Sequence, residues 1–177
     1  MRKFIYHIAT SLDGFIADQH GKVDHFLMEG PHVADFTQAL AQYDTVVMGR
    51  RTYEFGFQYG LQPGQPAYQG LKHIVASQSL DFESNDEVQL IKTDIATHLK
   101  QLKTQPGKAI WLCGGGKLAG YLFHHGLLDA LWLKINPIIL GNGIPLFEGL
   151  SSPLTLPTQK CEQKHYSNGV LLQKWRL

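Results

Sequence analysis

The sequence predicts a three-layer αβα domain with a mixed, mostly parallel central sheet and a C-terminal antiparallel hairpin. Apolar runs of strand length alternate with helix-length segments along most of the 177 residues. Several of these runs lack a clean alternation of polar and apolar residues, as is typical of strands that are covered on both faces. Near the end, Ser167-Asn168-Gly169 separates two strand-like segments, and Asn-Gly is a strong hairpin signal. No repeat or linker is evident, so residues 1–177 are predicted to form a single domain.

The elements follow in order from this pattern. Pro31 suits the first position of a helix, and Val33, Phe36 and Leu40 supply an apolar face at helical spacing. Further helices are predicted after Gly49, over 95–102 and over 117–125. Strands are predicted at 4–9, 45–48, 71–76, 88–91, 109–113 and 129–135, long loops at 56–70 and 137–147, and the hairpin at 154–177.

Composition excludes several classes of function. The chain has 16 Lys and Arg against 15 Asp and Glu, a net charge of +1, so no basic field indicates nucleic acid or an anionic membrane. Its apolar runs are far shorter than a transmembrane helix. Cys113 and Cys161 stand outside any CxxC or CxxH pair, and we predict no metal site. We expect a cytoplasmic protein whose partner is a small molecule.

A glycine turn is the most informative local feature. Gly114, Gly115 and Gly116 separate the apolar run 109–113 from a helix-length segment that Gly126 ends. Such a turn lets backbone N–H groups and a helix N-terminus face a bound anion. We therefore predict that a nucleotide pyrophosphate binds there.

The same turn has other interpretations. A P-loop is excluded, because Leu118 follows Lys117 where Ser or Thr is required and Trp111 replaces the first glycine. A Rossmann fingerprint can be written as Gly114-x-Gly116-x-x-Ala119, but it falls late in the chain and no acidic residue ends the next strand. A purely structural glycine turn stays open as an alternative.

Two other strand ends carry polar residues. Gly49, Arg50, Arg51 and Thr52 follow a predicted strand and open a helix, and arginine guanidinium groups bind phosphate oxygens in bidentate fashion. The alternative is two solvated arginines on a surface turn. Ser77 ends the third strand. Three polar strand ends suit a ligand that lies across the carboxyl edge of a parallel sheet.

Together these segments resemble a known family. Residues 46–54, VVMGRRTYE, are similar to the MGRxTWE segment of dihydrofolate reductase, and 110–118 resemble its triple-glycine turn. Residues 73–78 resemble its third strand and the serine-containing loop that follows. Residues 11–17 and 136–143 look more like a relative, the C-terminal reductase domain of the bifunctional riboflavin-biosynthesis deaminase–reductase.

The resemblance implies NADPH as cofactor. Arg50 would meet the 2′-phosphate, Thr52 the pyrophosphate, and Ser77 the phosphate on the adenosine ribose, with Ala9 and Ile16 near the nicotinamide. The full set of cofactor residues implied is Ala9, Ile16, Gly49, Arg50, Arg51, Thr52, Ser77, Gly114, Gly115, Gly116, Lys117 and Leu118.

Two details of the resemblance bear on the cofactor. It implies a cis peptide bond between Gly114 and Gly115. Ala76 stands where many dihydrofolate reductases have a second serine. This difference slightly weakens the preference for NADPH over NADH that the resemblance implies.

The substrate side is less well defined. Asp35 resembles the acid that assists protonation in dihydrofolate reductase, although an acid in the first helical turn is also favoured by the helix dipole. Dihydrofolate itself is not expected, because 53–71 contains no Lys or Arg for its glutamate tail. That aromatic stretch suits a pocket for a flat, uncharged molecule, a packing loop or a dimer contact. For the substrate pocket we assign Asp13, Phe15, Tyr53 and Phe57.

The sequence thus predicts an NADPH-dependent reductase that transfers hydride to a planar, pterin- or pyrimidine-like molecule. An NADP(H)-binding protein without reductase activity is the alternative. The resemblance also implies a homodimer that forms through residues 132–147.

Overall fold

A computed structural model describes residues 1–150, 152–153, 155–156 and 161–177. Its helices are α1 (Pro31–Ala39), α2 (Arg50–Glu54), α3 (Ile95–Thr104) and α4 (Gly116–His124). Its strands are β1 (Phe4–Thr10), β2 (Phe15–Ala17), β3 (Tyr43–Gly49), β4 (Lys72–Ala76), β5 (Val88–Ile91), β6 (Ala109–Gly114), β7 (Ala130–Ile135), β8 (Ile144–Pro145), β9 (Cys161–His165) and β10 (Leu171–Arg176).

The central sheet has eight strands in the order β5-β4-β3-β6-β1-β7-β10-β9. The six strands from β5 to β7 are parallel, and β10 and β9 close the sheet as an antiparallel hairpin. This confirms the predicted mixed sheet and its C-terminal hairpin. The carboxyl ends of β1, β3, β4 and β6 therefore meet at one edge.

Each face of the sheet carries its own apolar layer. Phe4 and Tyr6 of β1 face the side on which Leu99 of α3 and Leu122 of α4 pack. Ile5 faces the opposite side, which is covered by α1, α2 and the loop after α2. Side chains of successive residues in a strand point to opposite faces, so the buried β1 run supplies both layers.

Two segments differ from the sequence prediction, and part of a third lies outside the described residues. The loop predicted at 56–70 begins inside a 3-10 turn, Phe55–Tyr59, which continues α2. The loop predicted at 137–147 contains β8, which pairs with β2 in a separate two-stranded sheet. In the predicted hairpin segment, residues 154 and 157–160 lie outside the described residues.

Candidate functional site

The two glycine-containing turns are in contact at the carboxyl edge of the sheet. β3 and β6 are parallel neighbours, with Met48 paired with Gly114. A Cβ atom placed on Gly49 would lie 3.8 Å from Gly114 O, Gly115 N and Leu118 Cβ. The turn after β3 and the turn before α4 therefore form one continuous surface.

Thr52 joins these turns. Its Oγ1 would lie 3.5 Å from a Cβ atom on either Gly114 or Gly115. Ile16 of β2 lies 3.9 Å from the Gly115 position, so β2 covers the turn from the other side. The Thr52 hydroxyl thus lies beside the backbone of Gly114 and Gly115, which carries no side chains.

Backbone geometry agrees with the resemblance on one specific point. The Gly114–Gly115 peptide bond is cis, as predicted. α4 begins directly afterwards at Gly116, with Lys117 exposed and Leu118 buried.

The start of α4 is also held from outside. A Cβ atom on Gly116 would lie only 2.2 Å from Pro145 O, and one on Gly120 only 2.0 Å from Glu148 O. Glu148 N donates a hydrogen bond to Gly116 O at 3.0 Å. Glycine at both positions lets the strand β8 segment pack directly on the helix.

Two guanidinium groups lie beside this surface. Arg50 and Arg51 are exposed at the start of α2, and Arg50 Nη1 lies 3.3 Å from the Glu54 carboxylate. Unobstructed glycine backbone, a hydroxyl and two cations fit an anionic dinucleotide such as NADPH.

Ser77 has a local structural role. It is 6% exposed, and its Oγ accepts hydrogen bonds from Ser79 N at 3.2 Å and Leu80 N at 3.0 Å. These bonds shape the turn after β4. Contact with a ribose phosphate stays a prediction.

Ala9, which the resemblance puts near the nicotinamide, is half-buried on β1. Its direct neighbour on β7 is Lys134. Cross-strand neighbours share a face, so the Lys134 side chain leaves the sheet beside Ala9.

The four residues assigned to the substrate pocket have different surroundings. Tyr53 is 0% exposed and its hydroxyl donates to Gln65 O at 2.7 Å, so it packs in the core, and substrate contact there stays a prediction. Phe57 packs against it with ring centroids 5.5 Å apart. Asp13 accepts hydrogen bonds from Leu140 N and Gly141 N and so fixes the loop after β7.

The Asp13 carboxylate is also stabilised electrostatically. A hydrogen bond from Ser11 and those from the two loop amides hold its pKa below the ordinary value. Phe15 is half-buried on β2, opposite Pro145 of β8. Substrate contact at Asp13, Phe15 and Phe57 stays a prediction.

Asp35 is engaged by the C-terminal hairpin. Its carboxylate accepts hydrogen bonds from Lys164 Nζ and, at 2.7 Å, from the Tyr166 hydroxyl. These two bonds hold the pKa of Asp35 below its ordinary value. A carboxyl group that is ionised at neutral pH does not serve as a proton donor. In this structure the Asp35 carboxylate is therefore not available as a proton donor.

Sequence reasoning missed Lys134. Its Nζ lies 3.7 Å from the centroid of the Phe36 ring, and within the described part of the chain it has no carboxylate partner. Burial lowers the pKa of Lys134 to about 8. The sequence does carry a signal for Lys134, because this residue is the one positive charge in the otherwise apolar strand Ala130–Ile135.

Cys113 and Tyr68 lie in the same region as Lys134. The Tyr68 hydroxyl lies 3.9 Å from Cys113 Sγ, and burial raises the pKa of the thiol to about 11. The thiol is therefore neutral at physiological pH, which agrees with an inert cysteine and not with a nucleophile.

A scan against protein-family models matches residues 2–172 to the RibD C-terminal domain. Two Bacillus subtilis proteins of uncharacterised function are similar along most of their length. YyaP is 32% identical over 178 residues, covering 96% of this chain and 92% of YyaP. YwjB is 34% identical over 166 residues, covering 92% of each.

Solved structures share the fold. A Shewanella sp. PV-4 protein described as a riboflavin biosynthesis protein has a TM-score of 0.79 and 25% identity, covering 100% of this chain and 99% of that one. The Thermotoga maritima diaminohydroxyphosphoribosylaminopyrimidine deaminase/5-amino-6-(5-phosphoribosylamino)uracil reductase has a TM-score of 0.68 and 19% identity, covering 99% of this chain and 56% of that one. Enterococcus faecalis dihydrofolate reductase complexed with NADP(H) has a TM-score of 0.65 and 14% identity, covering 98% and 96%.

Among the described residues, no helix is both long enough and apolar enough to cross a membrane.

Proposed function

Because the chain belongs to the RibD C-terminal domain family, we propose that it is an NADPH-dependent reductase that transfers hydride to a planar, pterin- or pyrimidine-like heterocycle. The observation that carries the proposal is the meeting of Thr52 with Gly114 and Gly115 at one sheet edge. Neighbours of known fold include an NADP(H)-bound dihydrofolate reductase and a uracil-type reductase, which supports a nicotinamide cofactor. Dihydrofolate is not the proposed acceptor.

In this proposal the bound cofactor supplies the hydride, and the chain's own residues supply binding, orientation and a proton. Gly114, Gly115 and the first turn of α4 would hold the pyrophosphate through backbone N–H groups. Thr52 adds its hydroxyl, and Arg50 and Arg51 add positive charge. Ala9 and Ile16 border the nicotinamide and exclude water from it.

We assign the proton to Lys134 and not to Asp35. Lys134 is the direct strand neighbour of Ala9, so its ammonium group would supply the proton to an acceptor bound beside Ala9. Its pKa of about 8, lowered by burial, keeps it protonated at pH 7 while making it a stronger acid than an ordinary lysine.

The test is a fluorescence titration with NADPH and NADH, on the wild type and on Thr52→Val. Removing a hydroxyl that binds a charged group costs about 1.5–3 kcal/mol, so we expect binding of NADPH to weaken by about 10- to 150-fold. Thr97→Val, at an exposed position on α3, is the matched control and should bind as the wild type does. Absence of binding at millimolar cofactor would overturn the proposal.

A second candidate function is an NADP(H)-binding protein without reductase activity. The engagement of Asp35 by Lys164 and Tyr166 favours it, because the acid expected from the resemblance is not available. Cofactor oxidation on a panel of pterins, flavin precursors and quinones separates the two. Tight NADPH binding with no oxidation on any acceptor would favour the binding protein.

A further inference from the structure

We propose that the cavity between α1 and the C-terminal hairpin is a binding site for a planar aromatic molecule that carries one negative charge. The cavity has a volume of about 600 Å³, which lies within the range of small-molecule sites. Its described lining residues come from α1, β1, β7, β9 and β10, together with Gln42 and Tyr166. The cavity shares Lys134 with the proposed reductase site but includes neither the glycine turns nor Thr52. The inference does not rest on the proposed reductase activity.

The walls of the cavity are aromatic. Phe36 and Trp132 both line it, and the His7 ring centroid lies 4.9 Å from that of Phe36 and 5.3 Å from that of Trp132. Tyr166 of the hairpin and His32 of α1 add two further rings. Flat apolar walls favour a ligand with a flat apolar body.

The charged groups select an anion. Lys134, Lys164 and Lys174 line the cavity, and each ammonium group lies over an aromatic ring of the same cavity. Lys174 Nζ is 4.3 Å from the Trp132 centroid. Within the described part of the chain, Lys134 and Lys174 form no salt bridge.

Among the described residues, two carboxylates, Asp35 and Glu162, line the same cavity. Three lysines against two carboxylates leave one net positive charge, which a single negative charge on the ligand balances. Asp35 already binds Lys164. A ligand anion therefore competes with Asp35 for Lys164, whereas Lys174 has no such competitor among the described residues.

The buried ring of His7 does not add to this charge. Burial, with contributions from Lys134 and Lys174, lowers the pKa of His7 to about 3, so the ring is neutral at physiological pH. The floor of the cavity is thus aromatic and uncharged, and its cations are the three lysines.

The test is amide and indole NMR with 2-naphthoate and its neutral analogue 2-naphthamide as probes. Trp132 is the one tryptophan that lines the cavity; Trp111 Nε1 donates to His7 O and Trp175 Nε1 to Gln173 Oε1. We expect 2-naphthoate to shift the Trp132 indole signal saturably and to bind about tenfold more tightly than the amide. Equal affinity for the two probes would overturn the proposal.

Variants separate this site from nonspecific attraction. The double variant Lys164→Met and Lys174→Met should weaken 2-naphthoate about tenfold. The double variant Lys72→Met and Lys100→Met removes the same charge at exposed positions outside the cavity and should leave the affinity unchanged. Asp35→Asn should tighten binding about threefold, because it releases Lys164.

If both double lysine variants weaken 2-naphthoate binding equally, the probe does not bind specifically in this cavity. Weaker binding in Asp35→Asn would also contradict the proposal. If the cavity lysine variant fails to fold, the comparison of the two probes on the wild type still decides the proposal. A failed NADPH titration would leave these outcomes unaffected, so the two proposals fail independently.

Discussion

Two charged side chains, Asp35 on α1 and Lys134 on β7, have environments that the sequence does not predict. Asp35 has the position of an acid but is held ionised by Lys164 and Tyr166. Lys134, an unremarked residue in an apolar strand, has a pKa near neutrality because it is largely removed from water. The sequence shows where ionisable groups stand along the chain. The contacts that set their protonation come from a hairpin about 130 residues away from Asp35.

Replacing Lys134 by Met should lower reductase turnover about 100-fold, which is typical of losing a general acid. The wild type should also lose activity as pH rises above about 8, because the lysine then loses its proton. The measurement is a pH profile of NADPH oxidation with whichever acceptor the panel identifies. Lys72→Met is the control. An unchanged profile in Lys134→Met would refute the assignment.

Buried His7 should make stability depend on pH. Its folded pKa of about 3 lies below the value of about 6.5 for an exposed histidine. Between these values the unfolded chain binds a proton that the folded state does not, so the free energy of unfolding falls as pH falls below 6.5, by about 1.4 kcal/mol per pH unit. Urea unfolding at pH 5 to 8 measures this slope.

His7→Gln should flatten that slope, and His124→Gln, at an exposed position on α4, should not. His73, whose pKa is also lowered by burial, should account for the slope that remains. If His7→Gln keeps the same pH slope as the wild type, the His7 ring takes up its proton in the folded state as it does in the unfolded chain.

At the scale of elements, most strands and helices could be predicted from local pattern. β1, β3, β4, β6 and β7 are apolar runs of strand length, and Pro31 and Gly116 stand at the starts of α1 and α4. The short β8 was missed because two residues carry no periodicity; its pairing with β2 is set by contacts more than 120 residues apart. The cofactor cradle was predictable because glycine turns have a local signature, whereas the cavity beside α1 depends on how the hairpin packs.

The close packing of α4 against 145–148 gives a prediction at this scale. Alanine is the better helix former, yet Gly120→Ala should destabilise the protein by about 1–3 kcal/mol. The added Cβ would lie 2.0 Å from Glu148 O, so backbone must shift. Thermal unfolding measures the effect, with Lys117→Ala on the exposed side of α4 as control. If Gly120→Ala is more stable than the wild type, the 145–148 segment moves away from α4 without loss of stability, and the prediction is wrong.

At the scale of the whole molecule, assembly into a homodimer through 132–147 and a cytoplasmic location both stay predictions. Ile139 lies within that segment and is 75% exposed, so it is accessible to a partner subunit. If the segment forms the dimer contact, Ile139→Asp should convert dimer to monomer in sedimentation velocity. Tyr59→Asp, at a residue 73% exposed on the loop after α2, should not. A monomeric wild type would contradict the prediction.

The position of β1 has a consequence for synthesis of the chain in the cell. Within this domain β1 is made before both of its neighbours, because it lies between β6 and β7, whose partner residues begin at Ile110 and Ala130. At about 5–20 residues per second, on the order of ten seconds pass before both neighbours exist. Throughout that time this apolar, β-prone segment lacks both of its partner strands. We therefore expect the sheet to be completed around β1 only after most of the domain has been made.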